Sequence, residues 1–267
     1  MEKLHKLLFE LSSAERINIM LELQKNNLRL SQLSKKLDLT VTEASRHLQR
    51  LNEAKLIQKN SDGYFELTQF GTLSLFLLSG LDFVSKHKKY FLEYDLSGIP
   101  PQFIDMIGEL GQGTYASEII KNLEEGESRI RDAKEFTWIL SDQVLTSVIP
   151  TLAEKLKGPF DLRIVLPEGM FPPESKSQLP SKTPGIQKRV LSRVDVLIVL
   201  TEKYAVFCLP NESGRIDYTG FSGEDPKFHK WCKELFLYYW EKAKPFSLDK
   251  YPLKAAKEDP RFVFQNI

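Results

Sequence analysis

Thr42, Ser45, Arg46 and Gln49 are the residues whose types and spacing most directly suggest a chemistry. At helical periodicity they share one face. Two hydroxyls, a guanidinium and an amide are groups that hydrogen-bond to base edges and phosphates. The opposite face carries Val41, Ala44, Leu48 and Leu51, which would pack on a preceding helix containing Leu33 and Leu37. Thr40 followed by Glu43 fits a capping box, so this helix is expected to start there and run to about Ala54. Residues 38–41 form the turn between the two helices. A hairpin follows, entered through Leu56 and Ile57 and left through Tyr64, Phe65 and Leu67, with Asn60-Ser61-Asp62-Gly63 as its turn. Thr68 caps the next helix. Two short helices and then a hairpin make a winged helix-turn-helix, which places its second helix in a DNA major groove.

Charge favours this reading over a polar face that merely meets solvent. Between residues 24 and 60 there are eight basic residues (Lys25, Arg29, Lys35, Lys36, Arg46, Arg50, Lys55, Lys59) against three acidic ones, so the window is +5 while the whole chain is +1. Phosphate binding needs a local positive surface rather than a basic protein overall. Thr40, Thr42, Ser45, Arg46, Gln49, Arg50, Lys59 and the wing-tip Ser61 are therefore expected to contact double-stranded DNA. The competing use of such a fold is as a protein-binding adaptor.

Ser45-Arg46-His47-Leu48, with Leu51, Leu56-Ile57 and Leu67-Thr68-x-x-Gly71 downstream, resembles the ArsR-type winged helices of prokaryotes. The resemblance implies an S-x-H-L segment whose serine and histidine face DNA, which adds His47 to the contacts. ArsR metal sensors carry Cys-rich clusters near this helix. The segment here has no cysteine, so neither a metal site nor a cofactor is expected.

At 267 residues the chain has room for two domains. The expected boundaries are 1–68 for the winged helix, 69–87 for a linker and dimerisation helix, and 88–267 for an effector domain. The N-terminal helix of the first domain is expected over residues 13–24, capped by Ser12-Ser13-Ala14-Glu15, with a short extra helix over 3–11. No apolar run approaches the ~20 residues of a membrane span; the longest, 70–84, contains Gly80 and Asp82. Nor does the N-terminus read as a signal peptide. Cys208 and Cys232 are unaccompanied by a CxxC and read as reduced core thiols of a cytoplasmic protein, with a redox disulfide as the alternative.

Residues 70–86 are helical and apolar nearly all round, so this helix is expected to be buried on every side. Phe70, Leu73, Leu77 and Val84 fall at heptad-like spacing. They are assigned to a homodimer interface, which would set two recognition helices on a pseudo-palindrome.

In the second domain a helix is expected over 99–110, ending in a glycine-rich turn at 108–113 that lacks the G-K-[ST] of a phosphate loop. Further helices are expected over 128–135, 146–157 and 226–244, and strands over 136–140, 160–166, 194–200, 204–209 and 216–219, the two around Thr201-Glu202-Lys203 forming a hairpin. The fold class is α+β: an N-terminal winged helix-turn-helix plus a C-terminal mixed α/β effector domain.

The segments KYFLEYDLSGIP, RIRDAKEFTWILSDQ, FDLRIVLP and VDVLIVLTEKYAVFCLP look similar to the effector domain of archaeal methanogenesis-regulatory-type transcription factors. The ending FHKWCKELFLYYWEKAKP resembles the close of archaeal TrmB-like sugar-sensing regulators, whose sensor domains have a phospholipase-D-like half. Both resemblances imply a ligand-sensing or dimer-forming domain in an archaeal cytoplasm.

Catalysis of the phospholipase-D type requires H-x-K-x4-D, a histidine nucleophile with a charge-stabilising lysine. His87-Lys88-Lys89 begins the pattern, but the aspartate arrives one residue late at Asp95; His229 has Trp231 where the lysine belongs. No enzyme is therefore expected. A DNA-tethered phosphodiesterase and a ligand-free architectural DNA binder are the alternatives. The proline-rich stretch 167–185 reads as a mobile loop or as a lid. It follows a strand, and open α/β sheets bind ligands at the carboxyl ends of strands. Thr137, Ser141, Asp142, Arg163, Pro167 and Glu168 are thus the expected pocket for a small-molecule effector, with Arg163 either an anion ligand or the partner of a carboxylate such as Asp195.

Overall fold

The computed structural model describes residues 2–171, 178–179 and 182–246. It divides into two compact units, Met1–Leu81 and Asp82–Ile267.

Unit 1 contains α1 (Glu2–Leu11), α2 (Ala14–Lys25), α3 (Leu30–Lys36), α4 (Val41–Glu53), β1 (Ile57–Lys59), β2 (Phe65–Leu67) and the first part of α5 (Gln69–Lys86). Ser13 caps α2 by accepting from Arg16 N. Thr40 caps α4 in a complete capping box with Glu43, which satisfies donors at the helix start that have no intrahelical partner. Ile19, Met20 and Leu23 of α2 meet Leu33 of α3, Leu48 and Leu51 of α4, and Leu56 and Ile57 in one apolar core. Val41 departs from the expected packing face: at the first position of α4, it is exposed.

Asn60 builds the wing. Its Oδ1 accepts from Asp62 N and Tyr64 N, and Gly63 takes the left-handed φ of +85° that the turn requires. The hairpin pairs Ile57 with Leu67 and Lys59 with Phe65. Leu28 joins Phe65 through an isolated antiparallel bridge.

Unit 2 is built on an eight-stranded mixed sheet of order β10-β6-β5-β4-β7-β8-β9-β3. Its strands are β3 (Thr114–Ala116), β4 (Phe136–Leu140), β5 (Asp161–Pro167), β6 (Ile186–Leu191), β7 (Leu197–Thr201), β8 (Ala205–Pro210), β9 (Ile216–Gly223) and β10 (Lys244–Pro245). The β4–β5 and β5–β6 pairs are parallel and the rest antiparallel. Its helices are α6 (Lys88–Glu93), α7 (Pro101–Asp105), α8 (Ile119–Asp132), α9 (Ile149–Lys155) and α10 (Pro226–Lys242).

The two sheet faces bury different sets, as the strand pleat demands. Phe228, Trp231, Cys232, Leu235, Phe236 and Trp240 form a helical stripe on α10 and pack with Trp138, Leu140, Val165, Phe207 and Phe221. On the other face Leu162, Ile164 and Leu166 meet Ile130 of α8 and Leu152 of α9. Cys208 and Cys232 are free and buried in separate clusters, and burial pushes both thiols up.

Several boundaries differ from the sequence reading. The helix expected over 99–110 is α7 followed by a 3-10 turn at Ile107–Gln112. Gly113 then packs against α10: a Cβ there would stand 2.5 Å from Phe228 Cε2, so this glycine serves close packing. Strands β3, β6 and β10 were not foreseen. Much of the expected 167–185 loop lies outside the described residues.

Candidate nucleic-acid interface

α4 brings Thr42, Ser45, Arg46 and Gln49 together on one exposed face, as their spacing predicts. Arg46 has no ion-pair partner among the described residues. Gln49 is steadied by a 2.9 Å bond from its Nε2 to Glu53 Oε1. Thr40 is exposed, yet its hydroxyl is spent on the cap, accepting from Glu43 N at 3.2 Å. Those two bonds and the helix bonds behind them fix the angle at which the face is presented.

The wing adds cations beside that face. Lys59 and Ser61 are exposed; the Lys59 ammonium lies 5.6 Å from the centre of the Phe65 ring. Arg29 stacks on Tyr64 at 4.6 Å and donates to Asp62 O at 3.3 Å. Sequence reasoning counted Arg29 only as charge. Its place at the wing depends on a bond across 33 residues, which no local pattern signals.

Two expected contacts are placed differently. His47 is 9% exposed, with a buried Nδ1 that has no hydrogen-bond partner. Burial first, then the nearby Arg46 charge, pushes its pKa down, which favours the neutral imidazole. Its position is about 100° round α4 from Arg46, toward the core side, which takes it off the polar face. Arg50 is not free either: Glu10 of α1 accepts from its Nε at 3.1 Å and its Nη2 at 2.7 Å, and the guanidinium lies over the Phe9 ring at 5.0 Å. Arg16, itself buried, donates to the Phe9 and Glu10 carbonyls, so α1 is tied to the flank of α4.

The dimer set sits on α5. Phe70, Leu73, Leu77 and Val84 are all exposed in the single chain, Leu77 at 65%. Leu75 and Phe83 take the buried side, so the helix is not covered all round by its own chain.

The six residues expected to form an effector pocket do not converge. Trp138 of β4 pairs in register with Arg163 of β5, which sets Arg163 over the Trp138 ring at 4.2 Å on the α10 face. Thr137, one residue away, must point to the opposite face, where it is fully buried. Arg163 is paired with Asp161 at 3.1 Å, while Asp195 is taken by Arg193. Ser141 and Asp142 are buried braces, the first accepting from Gln143 N and the second from Ile216 N. Pro167 is buried in register with Leu191, and Glu168 is exposed. Unit 2 does contain a polar cavity, bounded instead by β3, α8, Tyr204 and the end of β9. Among the described residues no group of three or more His, Cys, Asp or Glu is placed to hold a metal ion.

Residues 13–59 match the family model described as bacterial regulatory protein, arsR family. No curated protein matches the chain. Among solved structures it is similar to TrmBL2, described as an archaeal chromatin protein with a novel mode of DNA binding, at 13% identity and a TM-score of 0.43, over 88% of this chain and 94% of that one. It also overlaps NucT from Helicobacter pylori (12%, TM-score 0.39, 51% of this chain and 98% of that). The overlap with Nuc, a phospholipase D family member from Salmonella typhimurium, is similar (15%, 0.35, 51% and 96%). At these scores the overlaps establish no shared fold. The family model and the capped, wing-flanked α4 agree on one segment: residues 13–59 are an ArsR-family helix-turn-helix, a DNA-binding element of regulatory proteins.

Proposed function

We propose that the chain is a sequence-specific transcriptional regulator that reads double-stranded DNA through α4, works as a homodimer, and carries a small-molecule effector domain in unit 2. The observation that carries this is the exposed row Thr42, Ser45, Arg46 and Gln49 on a capped helix beside a cationic wing. Base-reading groups and phosphate-binding groups lie together there, the first giving specificity and the second affinity.

The exposed α5 row supports the dimer. Phe70, Leu73, Phe76, Leu77 and Leu81 lie between 47% and 65% exposed on one helix, a continuous apolar surface of the kind that marks an interaction site. The boundary between the two units falls within α5, so this helix is the covalent path by which an effector in unit 2 would act on unit 1. Unit 2 is read as non-catalytic. The His87 ring is packed between Phe83 and Phe221 at 5.0 and 4.8 Å, and His229 Nε2 is bonded to Thr201 O at 2.8 Å; both histidines serve packing. No described helix is long and apolar enough to cross a membrane, and a DNA-binding role is consistent with the proposed cytoplasmic location.

Selection from a random duplex library tests the reading. The wild-type chain should enrich a pseudo-palindromic sequence and Arg46→Ala should enrich none; equal enrichment by both removes α4 as the reader. Light scattering at micromolar concentration should give a dimer that Leu77→Glu splits, and a monomeric wild type removes the α5 interface.

A further inference from the structure

Unit 2 holds a cavity of about 350 Å³ between β3, α8, Tyr204 and the end of β9, within the size range of small-molecule sites. Its floor is a charge network. The Arg129 guanidinium lies over the Tyr204 ring at 4.6 Å; its Nη1 is bonded to Glu224, and its Nη2 is 3.6 Å from Glu125. Two carboxylates thus share one cation, which leaves the floor with an excess negative charge. Tyr204 is buried, and its phenol is pushed up to about 12, chiefly by burial, so it stays neutral beneath the network.

Asn122 adds an acceptor. Its Nδ2 donates to Ala116 O at 3.0 Å and to Tyr218 O at 2.9 Å. Both amide protons are spent on the main chain, which fixes the side chain and leaves Oδ1 available. Lys121 and Glu118 complete the wall from the start of α8, one helical turn apart, and among the described residues no ion pair engages either of them.

Each part of this wall asks for a different ligand group. An ammonium answers the surplus carboxylate on the floor and the Asn122 oxygen. The unpaired Lys121 answers an anion. A simple anion would meet three carboxylates against two cations, and a neutral polyol would leave both the floor charge and Lys121 unmatched. We propose that this cavity binds a small amino acid, its ammonium against Glu125 and Glu224 and its carboxylate toward Lys121. The assignment rests on the reading of unit 2 as a sensing domain and gives that domain its site and ligand class.

The test uses the full chain without DNA. Each standard amino acid is added at millimolar concentration in a thermal-shift assay, with sorbitol and inorganic phosphate as probes of the polyol and anion classes, and any that raises Tm is titrated by calorimetry. At least one amino acid should raise Tm by about 2 °C or more, as ligand binding to the native state requires. Lys121→Met should weaken that binding by roughly tenfold or more, about 1.4 kcal/mol, while leaving the ligand-free Tm unchanged, because Lys121 has no ion-pair partner among the described residues. Ser222→Trp, which fills the cavity, should abolish binding. Silence of every amino acid, stabilisation by sorbitol or phosphate alone, or binding undiminished in both variants would each overturn the proposal. A failure here leaves the DNA-binding reading standing, since DNA takes no part in the measurement, and loss of DNA binding would leave the amino-acid titration unaffected.

Discussion

Gly71→Ala should destabilise unit 1 severely, although glycine to alanine inside a helix is ordinarily favourable. Gly71 is the third residue of α5, and a Cβ there would stand 1.9 Å from the Leu56 carbonyl oxygen and 2.9 Å from its carbon. The contact must open by more than an ångström before it reaches 3.0 Å, the lower limit of real Cβ contacts. The opposing atom is backbone and already committed: Leu56 O accepts from Thr68 N at 3.1 Å and lies 3.2 Å from Thr68 Oγ1. Thr68 Oγ1 in turn accepts from Gly71 N. Overpacking of this kind costs about 1–3 kcal/mol, and losing the Thr68–Leu56 hydrogen bond costs about 1 more. A net loss near 3 kcal/mol in a domain of this size lowers Tm by roughly 12–24 °C. Far-UV circular dichroism would follow the helices. Trp138, Trp231 and Trp240 all lie in unit 2, so tryptophan fluorescence separates a loss confined to unit 1 from a global one. Gly126→Ala on α8 is the control: a Cβ there meets nothing within 4 Å, and the change should stabilise by up to about 1 kcal/mol. A Gly71→Ala midpoint within a degree or two of wild type would refute the close approach of α5 to Leu56.

Other substitutions test the interface itself. Thr40→Ala removes the acceptor for Glu43 N and should cost about 1 kcal/mol in urea denaturation, within the usual range for cap loss; no change would mean the capping box is not formed in solution. Glu10→Gln should loosen the grip on Arg50, strengthen DNA binding and steepen the salt dependence by up to about 0.9 in log–log slope, the increment of one phosphate contact; an unaltered slope would place Arg50 away from the DNA. His47 has its pKa held below the ordinary 6.5 by burial, so as pH falls through that value the unfolded chain takes the proton first and the folded state loses stability. Wild type should therefore lose Tm relative to His47→Gln between pH 7 and pH 5, and parallel curves would show that His47 titrates normally.

Local hydrogen bonding and strict periodicity made parts of this molecule legible from sequence. The Thr40–Glu43 box, the Asn60–Gly63 turn and the stripe from Phe228 to Trp240 depend on neighbours within a few turns. What escaped depends on distant partners. β6 reads Ile-Gln-Lys-Arg-Val-Leu, too polar in the middle to suggest a strand, and is made one by its register with β5. Arg50 was read as a phosphate ligand because its carboxylate lies 40 residues upstream. The expected pocket residues diverge because strand-end position alone does not tell which pleat face a side chain takes: Arg163 joins Trp138 and Thr137 goes the other way. The polar cavity draws on segments from Thr114 to Glu224, a juxtaposition that only the sheet order creates.

DNA affinity measured against salt concentration, for wild type and Arg46→Ala on a selected duplex and a scrambled one, tests the central claim most directly. If α4 reads bases, wild type prefers the selected duplex, and Arg46→Ala loses about 1–3 kcal/mol on it while keeping its weaker, salt-dependent affinity for the scrambled one. Equal affinity of wild type for both duplexes, or an Arg46→Ala variant that keeps the preference, would contradict the account.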